Sequence, residues 1–187
     1  MRMIIKLSID EFDEIMDLFV SSFIDDDFYV KLYPDKNMRL NALRSEFASD
    51  VKMLLNSGFS YGYLIDDAIV GFILCFEYFH LLNTDKPAFD HLFGLNVLSE
   101  EKQMLYDMKL HNIVRQMQSN VIFEVSVAVK PDYQRQHIAT TLVEHVLKQY
   151  SDYHLVSDVS NEKSLSLYEN LGGSILKIED GYWLVIC

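Results

Sequence analysis

Val129-Lys130-Pro131-Asp132-Tyr133-Gln134-Arg135-Gln136-His137-Ile138-Ala139 reads as a strand stopped by proline, a short turn, and the first turn of a helix. The strand before it, Val121 to Val129, is rich in β-branched residues, and the helix after it carries Ile138, Leu142 and Val146 at four-residue spacing. A helix that starts just beyond a strand presents backbone N–H groups with no intrahelical acceptor, and its dipole favours negative charge there. The run therefore predicts a phosphate-sized anion site, with Lys130 and Arg135 as nearby positive charge.

Downstream, Asn161-Glu162-Lys163-Ser164-Leu165-Ser166-Leu167-Tyr168-Glu169-Asn170-Leu171-Gly172-Gly173 has the pattern of an amphipathic helix. Leu165, Tyr168 and Leu171 fall on one stripe, Asn161 stands at the cap position, and glycines follow the last turn. A strand over His154 to Val159 is expected between the two runs.

In order and spacing the two runs together resemble the GNAT superfamily of acetyl-CoA-dependent N-acetyltransferases. The first is similar to that family's Gln/Arg-x-x-Gly-x-Gly/Ala pyrophosphate loop, carried by Gln134, Arg135, Gln136, His137, Ile138 and Ala139. The second is similar to its Asn-x-x-Ala-x-x-x-Tyr-x-x-x-Gly-Phe helix, carried by Asn161, Ser164, Tyr168 and Gly172. The resemblance rests on motifs from Val121 onward and on element order before that. It implies an α/β fold of GNAT type, a mixed twisted central sheet flanked by helices and splayed between its fourth and fifth strands, in one domain over 1–187. It also implies acetyl-CoA as co-substrate. The coenzyme would be held by the strand amides of Val127, Ala128 and Val129, by the loop through Thr140, and by Asn161 and Tyr168. Among the departures from the family pattern, His137 replaces the loop glycine and Gly173 replaces the aromatic residue. Helical dihedrals need no glycine, so His137 is expected to be tolerated with its side chain outward.

Upstream, Ile4 to Leu7 reads as a strand, followed by the S-x-x-E capping pattern Ser8 to Glu11 and a helix with Phe12, Ile15, Met16, Phe19 and Phe23. A second helix is expected through Leu40, Leu43, Phe47, Val51 and Leu54 until Gly58 stops it. Tyr61–Ile65 and Ile69–Tyr78 form a hairpin pattern about Asp66-Asp67. The segment of about 80–120 is long for a connection and carries a helical pattern from Ser99 to Gln118, the mark of an insertion. It would line the acceptor pocket, form a homodimer contact, or cover one face of the sheet, and the pattern leaves these three open. Ile175 to Ile178 and Tyr182 to Ile186 form a terminal hairpin pattern around Asp180-Gly181.

With 50% hydrophobic and 13% aromatic residues, the 187-residue chain can bury a core, which excludes disorder as its main state. No stretch approaches the roughly 18 apolar residues of a membrane span, so a cytoplasmic protein is expected. The two cysteines, Cys75 and Cys187, lie far apart and argue against disulfides and zinc. The spacing of the six histidines likewise argues against a metal site. A formal charge of −12 disfavours nucleic acid and anionic membrane and attracts cations, among them amines, although the acidity would equally serve solubility.

The resemblance makes Tyr168 the group facing the coenzyme sulfur. With a phenol near 10 and a thiol near 8.5, full proton transfer in water is uphill by about 2 kcal/mol, which favours hydrogen-bond support of the leaving thiolate. An acceptor amine with a pKa of about 10.4 is mostly protonated at pH 7, a deficit of about 4 to 5 kcal/mol that calls for a base or a water relay. Glu124 and Glu77, on inner strands, are the candidates, although either could face solvent or pair with a cation. Asp25-Asp26-Asp27 reads as a solvated turn. The expected activity is direct acetyl transfer to the primary amine of a small molecule. The alternatives are a protein or peptide amine as acceptor, or an acyl-CoA-binding regulatory module with little turnover.

Overall fold

The computed structural model describes residues 1–79, 112–117, 120–159, 161–179 and 182–187. Most of the insertion expected over about 80–120 lies outside these residues, as does the Asp180-Gly181 turn, while positions 112–116 are helical. The chain divides into two compact units, Met1–Phe76 with Ser126–Val143, and Glu77–Val125 with Glu144–Cys187.

The first unit opens with β1 (Arg2–Lys6), antiparallel to β2 (Tyr61–Ile65), which is antiparallel to β3 (Ala68–Glu77). Asp66 and Asp67 both take positive φ, 49° and 65°, as a tight hairpin of right-handed strand twist requires. Ser8 and Glu11 form the reciprocal cap expected of them, the Ser8 N–H donating to Glu11 Oε2 at 2.8 Å. They cap a single 3-10 turn ahead of α1 (Phe12–Phe23). Ile15, Leu18 and Phe19 of α1 are buried, and the Phe19 ring lies 6.4 Å from that of Phe72 on β3.

Where the sequence pattern suggested one further helix, three are present: α2 (Asp27–Leu32), α3 (Lys36–Glu46) and α4 (Ala48–Asn56). The break between the last two falls at Phe47 (φ −92°, ψ −3°), whose ring packs 5.2 Å from Phe19 and 5.8 Å from Tyr29. Leu43, Val51 and Leu54 on either side of it stay buried, so the helical period survives the break and conceals it in the sequence. Gly58, at φ +78°, ends α4 as expected. The turn between α1 and α3 is held from inside by buried Arg39, which donates to the carbonyls of Ile24 and Tyr33. Asp25, in the turn after α1, is exposed and pairs with Lys36 at 3.1 Å and with Arg39 at 3.5 Å, whereas Asp27, expected in the same solvated turn, is the first residue of α2.

The second unit pairs the first half of β4 (Asn120–Val129) with β5 (Tyr153–Val159) in parallel register. β5 then pairs antiparallel with β7 (Tyr182–Ile186), and β7 antiparallel with β6 (Ser174–Glu179). The apolar runs Val121–Phe123, Leu155–Val156 and Leu184–Val185 are buried, as strands covered on both faces must be. Two helices complete the fold, α5 (Ile138–Gln149) after β4 and α6 (Glu162–Asn170) after β5. Strand order is β1-β2-β3-β4-β5-β7-β6, the mixed sheet with flanking helices that the resemblance implies.

Candidate functional site

The candidate residues fall into two groups, one in each unit. In the first, Pro131 ends β4 and opens a 3-10 turn through Tyr133, after which Gln134 is extended. The Gln134 side chain donates to the carbonyl of Val129 at 3.2 Å, tying the loop back to the strand it leaves. Arg135 and His137 both take φ +60°. The His137 carbonyl accepts the Thr141 N–H at 2.9 Å and its hydroxyl at 2.7 Å, which makes His137 the residue from which α5 starts.

This corrects the expectation of helical dihedrals at His137. The chain turns from strand into helix through left-handed residues, and a side chain in that region costs about 1 to 2 kcal/mol. Histidine, with asparagine and aspartate, is among the non-glycine residues found there most often. The glycine of the family motif is thus accounted for by backbone conformation at this position.

From Arg135 to Thr140 no backbone N–H meets a protein acceptor among the described residues. Residues whose φ alternates in sign turn successive N–H groups toward one concave side, a nest for anions. Gln134, Arg135, Gln136 and His137 are exposed, Ala139 and Thr140 half-buried, and Ile138 is buried as the first core residue of α5. Such a donor row, with the Arg135 guanidinium beside it, fits a diphosphate.

β4 approaches this loop through Val127, Ala128 and Val129. Ala128 and Val129 are buried and Val127 is half-buried. The pairing of β4 with β5 ends at Glu124 and Ser157, so from Val125 to Val129 the strand has no ladder partner on that side among the described residues. On its other side the Lys130 N–H bonds the Val70 carbonyl at 2.8 Å. A Cβ at Gly71 would stand 3.1 Å from the Ala128 carbonyl oxygen and 3.0 Å from Ile138, so glycine there permits the close passage of β3.

The second group is buried. Glu124 and Ser157 are register partners on β4 and β5, which places them side by side. Tyr168 reaches them from α6, whose start is fixed by Asn161: its Oδ1 accepts the Ser164 N–H at 2.8 Å. The Tyr168 hydroxyl donates to Glu124 Oε1 at 2.5 Å and lies 3.3 Å from Ser157 Oγ. Tyr168, Glu124 and Ser157 are 1%, 2% and 4% exposed, and Glu124 Oε2 has no hydrogen-bond partner among the described residues. Burial pushes the Glu124 carboxyl up to about 7, against the opposing pull of the Tyr168 and Ser157 hydrogen bonds. Burial, with the Glu124 charge adding to it, pushes the Cys187 thiol up to about 11. Cys187 and Cys75 are both free thiols.

Tyr168 and Glu124, two of the three residues put forward for catalysis, thus touch each other across 44 positions of sequence. Of the apolar stripe expected on α6, only Tyr168 is buried, because Leu165 and Leu171 remain half-exposed. Ser157 was not singled out; its one signal is a small polar residue inside an apolar strand. Glu77 is half-buried at the end of β3. The departure at Gly173 has a steric cause, since a Cβ there would stand 2.8 Å from Cys187 Sγ and 3.1 Å from the Tyr168 carbonyl oxygen. Among the described residues no cluster of three or more His, Cys, Asp or Glu is placed to hold a metal ion, and no helix is long and apolar enough to cross a membrane.

A family model described as acetyltransferase (GNAT) family matches residues 12–172. No curated protein matches the chain. Among solved structures, the fold is similar to a polyamine N-acetyltransferase of Drosophila melanogaster, at 11% identity and a TM-score of 0.66, covering 100% of this chain and 99% of that one. Arylalkylamine N-acetyltransferase 2 of Aedes aegypti matches at 16% identity and 0.68, covering 99% and 96%. The PaiA N-acetyltransferase of Thermoplasma acidophilum, in complex with coenzyme A, matches at 15% and 0.61, covering 100% and 98%.

Proposed function

Since the chain belongs to the GNAT family of acetyltransferases and is therefore an acyltransferase enzyme, we propose that it acts as one GNAT domain over 1–187 and transfers acetyl from acetyl-CoA directly to the primary amine of a small cationic molecule. The formal charge of −12 supports a cationic acceptor, and so do structural neighbours that are polyamine and arylalkylamine acetyltransferases.

Acetyl-CoA supplies the activated thioester; the chain's own residues bind, orient and move protons. The N–H groups from Arg135 to Thr140, with the Arg135 guanidinium, take the diphosphate, and the unpaired edge of β4 at Val127 to Val129 offers amides to the pantetheine arm. Asn161 fixes the start of the helix that carries Tyr168.

The observation that carries the reading is the buried Tyr168–Glu124 contact. A carboxyl held at about 7 is half ionised at neutral pH, the state from which a general base works best. Because Glu124 is buried, the ammonium proton reaches it through water. While Glu124 is ionised it occupies the Tyr168 hydrogen. Once protonated, Glu124 becomes a donor, and the phenol hydrogen is released to support the departing thiolate. One pair thereby serves both ends of the reaction in the order the chemistry needs.

The test is release of free thiol from acetyl-CoA with a panel of polyamines, arylalkylamines, aminoglycosides, amino acids and peptides. Release is expected with small cationic amines. Release with peptides alone moves the acceptor to protein amines, and coenzyme binding with no release from any amine reduces the chain to an acyl-CoA-binding module.

A further inference from the structure

The loop from Gln134 to Ala139 has a neighbour that no motif names. Arg2, on β1, donates from Nη2 to the side-chain Oε1 of Gln136 at 3.0 Å, across 134 positions of sequence. That is its one side-chain hydrogen bond among the described residues, and it enters no ion pair there. Its register partner on β2 is Ile65. The acidic neighbour in reach is Asp66, whose carboxylate is already taken by the Met1 ammonium at 2.5 Å. Arg2 is therefore an exposed guanidinium moored by one corner to the anion loop, its remaining donors without a hydrogen-bond acceptor among the described residues and its charge within the field of Asp66.

Mooring matters because an arginine loses rotamer freedom when it is fixed, and a side chain already fixed by Gln136 gives up less on meeting a ligand. A guanidinium presents paired donors that match two phosphate oxygens, and in a chain of charge −12 each cation beside an anion site must be placed locally. Arg135 supplies one from within the loop. We propose that Arg2 supplies a second, delivered from β1, and that it binds the diphosphate of the coenzyme as a further binding residue. This rests on the reading of the loop as the coenzyme site.

Calorimetry with coenzyme A and with 3′-dephospho-coenzyme A separates the outcomes, because both ligands carry the diphosphate and one lacks the other phosphate. Arg2→Gln is expected to weaken both about fivefold, Arg2→Lys to lose less, since it keeps the charge without the fork, and the difference to shrink in 0.5 M salt. Gln136→Ala, which frees the guanidinium but keeps its charge, is expected to cost about twofold. Equal affinities for wild type and Arg2→Gln overturn the inference, as does a loss seen with coenzyme A alone, which assigns Arg2 to the other phosphate. If the wild-type protein takes up neither ligand, the coenzyme reading itself fails, and that result is distinct from the other two.

Discussion

Replacing Glu124 by glutamine keeps an oxygen for the Tyr168 hydroxyl and removes the charge. Holding the carboxyl at about 7 in place of its ordinary 4.5 corresponds to about 3 kcal/mol. Below pH 4.5 the group is protonated both folded and unfolded and costs nothing. Between 4.5 and 7 the folded protein keeps a proton that the unfolded chain has released, so stability falls as pH rises, and above 7 the whole penalty is present. Glu124→Gln escapes it. The variant and the wild type should match at pH 4, and at pH 8.5 the variant should be more stable by about 3 kcal/mol, roughly 6 to 12 °C in Tm for a chain of this length. Thermal denaturation of both proteins from pH 4 to 8.5 measures the difference directly, because every other titrating group cancels. Turnover should be lost in the same variant, and in the wild type kcat should rise with pH through about 7. Parallel stability profiles, with a Tm difference that does not change with pH, would refute the assignment of a costly buried carboxylate.

Tyr168→Phe removes the donor to Glu124 Oε1, so kcat should fall about a hundredfold or more while acetyl-CoA affinity by calorimetry stays within about twofold. The pH midpoint of the remaining activity should move above 7, since the hydrogen bond lost is one that holds the carboxyl down. His137→Gly relieves a left-handed side chain, worth about 1 to 2 kcal/mol, against about 0.5 to 1 kcal/mol of added unfolded-chain entropy. Denaturant unfolding should show a slightly more stable protein, with acetyl-CoA binding kept or tightened, and a collapse of affinity would mean that the imidazole itself holds the ligand.

The features legible in the sequence are those whose cause is local. The Ser8–Glu11 cap, the Asn161 cap, the stop at Gly58 and the strand-to-helix passage after Val129 each depend on a few adjacent residues, and each stands where the pattern put it. What escaped has a distant cause. The break at Phe47 answers to rings on α1 and α2, and it leaves the helical period intact. The glycine at 173 answers to Cys187, fourteen positions on, whose Sγ would stand 2.8 Å from a Cβ there. The left-handed turn at Arg135 and His137 carries no compositional mark, since neither residue is the glycine by which such turns are ordinarily read.

The same distinction bears on whether the Glu124–Tyr168 pair is structural or chemical. A buried tyrosine hydroxyl needs one acceptor, and an amide or hydroxyl oxygen serves that need at any pH without the cost of desolvating a charge. A carboxylate serves it at a cost of about 3 kcal/mol at neutral pH, a large part of the roughly 5 to 15 kcal/mol by which domains are stable. Packing gains nothing in return, because glutamate and glutamine fill nearly the same volume. No lysine, arginine or histidine is recorded against the carboxylate among the described residues, so an ion pair does not offset the cost, and its second oxygen goes without a hydrogen bond. The one property the carboxyl has that its neutral analogue lacks is a proton that can come and go near pH 7. That property suits the proposed reaction, which must take a proton from one group and support negative charge on another, as acetyl transfer from a thioester to an ammonium does.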